Sequence, residues 1–160
     1  MYSLKFIVGI ILVCGCVFAC IKADTISNAK VSKNSLAKIV GVECIGQPNN
    51  YTFKVSVESI ETGCDQYADW WEVITLDSVL VYRRILSHSH VDEQPFTRSG
   101  GVVAVGADEF VYVRAHMNEA GYGDVVYSGT PRQELVPDTL PANFAASLAQ
   151  QEPLPDGCDF

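Results

Sequence analysis

The chain has 160 residues, of which 48% are hydrophobic and 19% are charged, and its formal net charge is −8. This composition is typical of a globular protein and excludes bulk disorder, and the length leaves room for one domain once both ends are set aside. The acidic charge and the absence of any basic run in the sequence exclude general nucleic-acid binding, which requires clustered Lys and Arg.

The N-terminus has the pattern of a secretory signal. A short cationic head, MYSLK, precedes an apolar run from Phe6 to about Ile21, which Lys22 and Asp24 close. The run is too short to span a bilayer comfortably, so we expect export and not a membrane-spanning helix.

The end of this signal contains a candidate lipidation site. Val17 and Ala19 fit the small-residue rule at positions −3 and −1, which predicts a signal peptide of residues 1–19. The stretch VFAC resembles the bacterial lipobox, and this resemblance implies that Cys20 becomes the lipid-bearing first residue of the mature protein. The predicted location is therefore the cell envelope, through a lipid anchor, or the exterior.

Residues 20–36 are polar and lack periodicity, as expected of a tether. The alternative is an ordinary signal that is cleaved after Ala19 or Ala23. In a eukaryotic source lipidation would not apply, and Asn50-Tyr51-Thr52 would be a glycosylation sequon.

The cysteines that remain after export are Cys44, Cys64 and Cys158. Cys44 shares its parity with Val40 and Val42 in KIVGVECIG, so we expect it to point into the core. Cys64 and Cys158 both lie in turn-like surroundings, and we predict that they form a disulfide. Such a bond would attach the C-terminus to the domain.

Residues 37–130 carry the pattern of an antiparallel β-sandwich. Tyr51 to Glu58 alternate apolar and polar side chains, as in a half-buried strand. Further predicted strands are ADWWEVIT, VLVYRRIL, GGVVAVG (ended by Gly106), EFVYVRAHM and DVVYSG. Together with KIVGVECIG these stretches make seven short strands, and with no convincing helix before Pro131 they predict an all-β sandwich of immunoglobulin or fibronectin type III character.

Residues 131–160 are rich in proline and read as an extension packed on the sandwich. One short helix is predicted from Ala142 to Gln150, because Pro141 suits the first turn of a helix.

Two resemblances support this interpretation. VYVRAHMNEAGYGD resembles the sixth strand and following turn of fibronectin type III domains, which implies a sandwich. GCDQYADWWEV, YRRILSHSHVDEQPFTRSGG and VRAHMNEAGYG are similar to a bacterial family of secreted, lipoprotein-like proteins. This second resemblance implies the compartment and supplies no chemistry.

The period-two pattern also assigns strand faces. In EFVYVRAHM the apolar side chains should face the core, which leaves Tyr112, Arg114 and His116 on the outer face. In VLVYRRILSHSH, Val81 and Ile85 should face inward together with Arg83. The opposite face of this strand then carries Tyr82, Arg84, Leu86, His88 and His90. If the two strands share a sheet, we expect all three histidines of the chain to converge on one surface.

These faces predict a recognition surface that is rich in Arg and His. Three guanidinium groups suit a carboxylate, phosphate or sulfate, and two tyrosines suit a sugar or other ring. The partner would be a protein or a small anionic or sugar ligand, bound by Arg84, Arg98, Arg114, Tyr82 and Tyr112. The alternative is structural pairing of the arginines with Asp92, Glu93 and Glu72.

A second hypothesis is a metal site. His88, His90 and His116 would provide three imidazoles, which suit Zn²⁺ or Cu²⁺. This hypothesis requires the three rings to approach within ligand distance of a shared point.

Catalysis has little support in the sequence, which contains no nucleophile elbow, P-loop or dinucleotide fingerprint. Asp65, Asp69 and Glu72 suit an acid–base pair but also a solvated strand end. Trp70 and Trp71 should point to opposite faces of one strand, with one in the core and the other either exposed or, as we expect, covered by the C-terminal extension. We therefore predict an exported binding module and not an enzyme.

Overall fold

The computed structural model describes residues 36–141 and 143–159. The predicted signal peptide, the lipidation site at Cys20 and nearly all of the tether lie outside these residues. The described part contains nine β-strands and no α-helix. In it, no helix is both long and apolar enough to cross a bilayer.

The first sheet has three antiparallel strands in the order β1-β2-β5. The strands are β1 (Lys38–Gln47), β2 (Asn50–Glu58) and β5 (Phe96–Val103). Pro48 and Asn49 connect β1 to β2, since Gln47 pairs with Asn50. Asn49 has a φ of 63°, a left-handed conformation that Asn adopts more readily than most residues.

The second sheet has six strands, in the order β4-β3-β6-β8-β9, with β7 paired to β6. Its strands are β3 (Ala68–Thr75), β4 (Leu80–Ile85), β6 (Val111–Met117), β7 (Gly121–Tyr122), β8 (Val125–Gly129) and β9 (Val136–Thr139). The strand predicted from ADWWEVIT agrees with β3 in both bounds. The edge strand β9 comes from the proline-rich extension and was not predicted.

The core lies between the two sheets, which confirms the predicted all-β sandwich. Phe53, Val55 and Val57 of β2 are fully buried and belong to the same apolar cluster as Trp71 and Val73 of β3. These buried residues alternate along β2 with partly or fully exposed residues, as predicted for a half-buried strand. The free thiol of Cys44 packs against this cluster, as predicted.

The second sheet is buried on its outer face as well. Every residue of β3 except Thr75 is buried, including Trp70 and Glu72, which alternate with the core-facing Trp71 and Val73. The segment that follows β9 covers this outer face; we call residues 143–159 the C-terminal strap. It contains a 3₁₀ helix, Ala146–Gln150, where a longer helix was predicted.

A disulfide between Cys64 and Cys158 fixes the end of the strap, as predicted, and joins positions 94 residues apart. Asp159 N–H also donates a hydrogen bond to the carbonyl of Ser87 at 2.5 Å. The strap is therefore held to the strand ends by covalent and hydrogen-bonded contacts.

Candidate functional site

The five predicted ligand-binding residues do not all lie together. Tyr82 and Arg84 lie against Gly100 and Ser99 of β5, next to Arg98, whereas Arg114 and Tyr112 contact the strap. Arg114 is 2% exposed and lies beneath the strap. Arg98 pairs with Glu93 on the exterior, with Nη2 and Oε2 2.8 Å apart. The exposed Arg84 donates to the carbonyls of Ser99 and Ile85.

The two tyrosines are also apart. Tyr82 packs against the core beside Trp71, with ring centroids 5.6 Å apart. Tyr112 contacts Phe110 and Phe144 edge to face on the outer side. The pairing of Arg98 with Glu93 and of Arg114 with Glu72 is the structural alternative stated above.

The face assignment of β4 was wrong for Tyr82 and Arg83, whereas Val81 packs against the core as predicted. Tyr82, predicted to face outward, contacts the core, whereas Arg83, predicted to face inward, lies on the outer face beside Glu72. The assignment failed because the strap covers the outer face, so that a charged residue on either face of this strand can be buried. Apolar parity therefore does not identify the core side of β4.

The three histidines are divided between two places. His90 is stacked on Phe96 at a centroid distance of 3.8 Å, and the ring of His88 lies 4.6 Å from it. His116, on β6, is bonded to Asp69 and stacked on Trp70. Within residues 36–141 and 143–159, no three His, Cys, Asp or Glu side chains are placed to hold a metal ion. The convergence that the zinc or copper hypothesis requires is not found.

The loop that carries His88 and His90 is organised around a buried carboxylate, Glu61. It accepts hydrogen bonds from Ser59 Oγ at 2.7 Å, from Ala68 N–H at 3.2 Å and from the backbone N–H of His90. Burial, and then the nearby Arg98, lowers the pKa of the His90 imidazole below its ordinary 6.5. The ring therefore suits a neutral, stacked role in this loop.

The outer face of the second sheet carries a buried ion triad. Glu72 accepts from Arg83 Nη2 at 2.6 Å through Oε2, and Arg114 Nη2 lies 2.7 Å from its other oxygen, Oε1. Glu72 has an exposed fraction of 0%. Two cations share a single anion, so the triad carries a net positive charge that needs further acceptors.

The strap supplies these acceptors through its backbone. Arg83 donates to the carbonyls of Leu148, Gln151 and Pro153 at 2.7, 2.5 and 3.0 Å. Arg114 donates to those of Phe144 and Ala145 at 2.6 and 3.0 Å. Because main-chain oxygens satisfy the guanidinium groups, the triad fixes the path of the strap largely independently of its side chains.

Aromatic rings surround the triad. The indole of Trp70 contacts both Arg83, whose Cζ is 4.4 Å from the ring centroid, and His116, whose ring is parallel to it at 3.8 Å. Tyr122 meets both Trp70 and His116 edge to face. Burial, together with the charge of Glu72, raises the pKa of Tyr122 to about 12, so its hydroxyl stays protonated.

Beside this stack, the strap and the sheet leave an open groove of about 540 Å³, which we call the strap groove. Its lining includes Tyr67, Asp69, Trp70, His116 and Glu119. Asp69 Oδ1 and His116 Nδ1 are 2.8 Å apart, and both residues are more than nine-tenths buried. In this lining the indole Nε1 of Trp70 is a buried donor that has no hydrogen-bond partner among the described residues.

The charge around the strap groove is negative. Burial raises the pKa of the Tyr67 hydroxyl, and the carboxylates of Asp69, Glu61 and Asp159 raise it further. A group at this position therefore experiences an excess of negative charge. The lining of the groove also includes the carboxylates of Asp69 and Glu119.

Sequence reasoning did not identify Arg83 as part of a site, and it named Asp69 and His116 as separate candidates without pairing them. The available signal was a charged residue, Glu72, in the middle of the otherwise apolar stretch ADWWEVIT. Such a residue predicts a buried partner of opposite charge on a neighbouring strand.

The chain is similar to a protein from a haloarchaeal source. A protein of Halomicrobium mukohataei that bears the name "Putative lipoprotein" is 37% identical over 103 residues, which are 64% of this chain and 46% of that protein. The chain thus spans less than half of the relative's length. No family model matches the chain, and no solved structure matches it significantly.

Proposed function

We propose that this chain is an exported, lipid-anchored protein of the cell envelope whose sandwich is a binding module. The disulfide between Cys64 and Cys158 is the main support for export, because disulfides persist in oxidising compartments outside the cytoplasm. The lipobox-like VFAC sequence and the name of the Halomicrobium relative support attachment through Cys20.

The binding half of the proposal concerns the strap groove. Ligand sites are concave and hold a small number of fixed polar groups, and the groove has both properties at Asp69 and His116. Of the Arg- and His-rich recognition face predicted from the sequence, the groove retains His116. The other predicted residues lie elsewhere, so the proposed site differs from the predicted one.

Expression of the full chain in a bacterial host with a clickable palmitate analogue tests the anchor. We expect the wild-type protein to fractionate with membranes and to carry the label. Cys20→Ser should release the protein and abolish the label, whereas Cys44→Ser, at the free internal cysteine, should change neither result. A soluble, unlabelled wild-type protein would exclude the lipid anchor.

A further inference from the structure

We propose that the strap groove binds a neutral saccharide, whose hydroxyl groups accept a hydrogen bond from Trp70 and donate one to Asp69. This inference rests on the proposed binding role of the groove and adds the chemical class of its ligand. Its support is a buried donor without a partner, a β-bulge that adds an acceptor to the same wall, and the chemistry that these two groups require together.

The first step of the argument is an unsatisfied donor in the groove wall. Trp70 is 3% exposed and lines the groove, and its indole Nε1 has no hydrogen-bond partner among the described residues. The contacts of the ring with His116 and Arg83 hold the indole in place. Because a buried N–H group without an acceptor is unfavourable, a ligand atom that accepts this hydrogen bond would be stabilised in the groove.

A β-bulge adds an acceptor to the same wall. The register between β3 and β6 shifts between Ala68 and Trp70. Consecutive residues of a regular strand point to opposite faces, but at this bulge Asp69 lines the same groove as Trp70. Asp69 is bonded to His116, which is the cross-strand partner of Trp70 and stacks on it. A ligand therefore meets a donor and an acceptor whose positions are set before it arrives.

These two groups select against charged ligands. An indole N–H group only donates, and an ionised carboxylate only accepts. An ammonium or guanidinium group has no acceptor atom, so it leaves the N–H group of Trp70 unsatisfied. An anion would be repelled by Asp69 and Glu119, and the described lining of the groove contains no Lys or Arg. A hydroxyl group accepts, donates and carries no charge, so it suits both Trp70 and Asp69.

The rest of the lining favours a sugar over a simple alcohol. Gln150 is exposed on the strap side of the groove, and its amide both donates and accepts. Leu154 and Pro155 are half-buried and add an apolar strip to the same side. A sugar ring has hydroxyl groups around its edge and C–H groups on its faces, so it matches both kinds of surface. The groove volume of about 540 Å³ is in the range of small-molecule sites.

NMR of the indole N–H groups in the full mature chain tests this proposal. The chain has two tryptophans, and Trp71 is the internal control, because its Nε1 is also buried and unpartnered but its ring belongs to the core. The probes are the methyl glycosides of glucose, galactose and mannose, with gluconate as the anion, n-butylammonium as the cation and N-methylacetamide as a peptide-like amide. We expect at least one glycoside to bind and to shift the Trp70 signal much more than the Trp71 signal.

Matched variants test the contacts. Asp69→Asn should weaken glycoside binding about tenfold or more, because hydrogen bonds to carboxylates are stronger than those between neutral groups. Gln150→Ala keeps the test decisive if Asp69→Asn impairs folding, since this side chain is exposed; we expect binding to weaken severalfold. Gln133→Ala, at an exposed site outside the groove, should leave binding unchanged.

The outcomes separate the ligand class from the binding role. Binding of gluconate, n-butylammonium or N-methylacetamide without binding of any glycoside would overturn the saccharide assignment and leave the groove as a binding site. Full glycoside affinity in both groove variants would overturn the proposed contacts. If no probe shifts the Trp70 signal, the saccharide assignment and the binding role of the groove both fail.

Discussion

Glu72 on β3 and Arg114 on β6 are direct cross-strand neighbours and form a buried ion pair, with 2.7 Å between Oε1 and Nη2. Arg83 occupies the other carboxylate oxygen from β4. The three strands β4, β3 and β6 are consecutive in the sheet, so the triad crosses it at right angles to the strands. The C-terminal strap is fastened to this row of charges.

Removal of the anion should be strongly destabilising. Glu72→Gln leaves two buried guanidinium groups without a counter-charge, and we expect a loss of about 3–5 kcal/mol in the free energy of unfolding. Urea denaturation followed by tryptophan fluorescence measures this loss. The matched control is Glu58→Gln at the exposed pair with Lys38, which should cost less than about 1 kcal/mol. Similar losses in both variants would contradict a structural role of the triad.

The disulfide should stabilise the strap more than any other part of the chain. Replacement of Cys64 and Cys158 by Ser removes a cross-link between residues 94 positions apart, and we expect a loss of about 2–5 kcal/mol. Limited proteolysis should then cut first within residues 143–159. Cleavage that begins in β1 or β2 would show that the strap does not depend on this bond.

Stability should depend on pH through His90. Its folded pKa lies below the unfolded value, because burial disfavours the charged ring. Below pH 6.5 the unfolded chain therefore binds a proton that the folded chain does not, and stability falls as the pH decreases towards the folded pKa. The contribution is fully present above the unfolded value.

The variant His90→Phe should remove this dependence. A phenyl ring can stack on Phe96 in the same place without buried ring nitrogens. Thermal unfolding between about pH 7.5 and about pH 5 should show a smaller decrease for the variant than for wild type. His88→Asn, at an exposed site, serves as the control and should follow the wild-type profile. Parallel profiles for wild type and His90→Phe would refute this role.

Gly123 should not tolerate a side chain. A Cβ atom at this position would lie 1.8 Å from the carbonyl oxygen of Ala37, so Ala37 or the turn after β7 must move. We expect Gly123→Ala to lower stability by about 1–3 kcal/mol, as overpacking does. At Gly41 the same change meets only ordinary contacts with Ser56, at 3.5 Å, and should be nearly neutral. Equal melting temperatures for the Gly123 variant and wild type would disprove the close contact.

Much of the fold was predictable because several strands have a clear chemical signature. The alternation from Tyr51 to Val57 identified β2, and aromatic and β-branched residues identified β3. Turn-like sequences around Cys64 and Cys158 were sufficient to pair them. The neighbouring tryptophans were placed on opposite faces, and Trp70 is buried on the outer one.

The site was less predictable, since it depends on which surface the strap covers. Arg83 was assigned to the wrong face because the strap covers the outer face of the sheet. Both faces of β4 are then buried, so the alternation of apolar and polar side chains no longer distinguishes the core face from the outer face. His116 was grouped with His88 and His90 because all three were placed on one surface. The structure divides them because β6 presents His116 towards Asp69, whereas His90 stacks beneath the loop on Phe96.

We propose above all that this chain is a module closed by a disulfide and attached to the envelope through Cys20. Intact-mass and peptide mass spectrometry of protein isolated from a bacterial host, alkylated before and after reduction, tests it most directly. We predict a mature chain that begins at lipid-modified Cys20, with Cys44 alone alkylated before reduction and Cys44, Cys64 and Cys158 alkylated after it. An uncleaved or unlipidated N-terminus, together with alkylation of all three internal cysteines before reduction, would contradict the account.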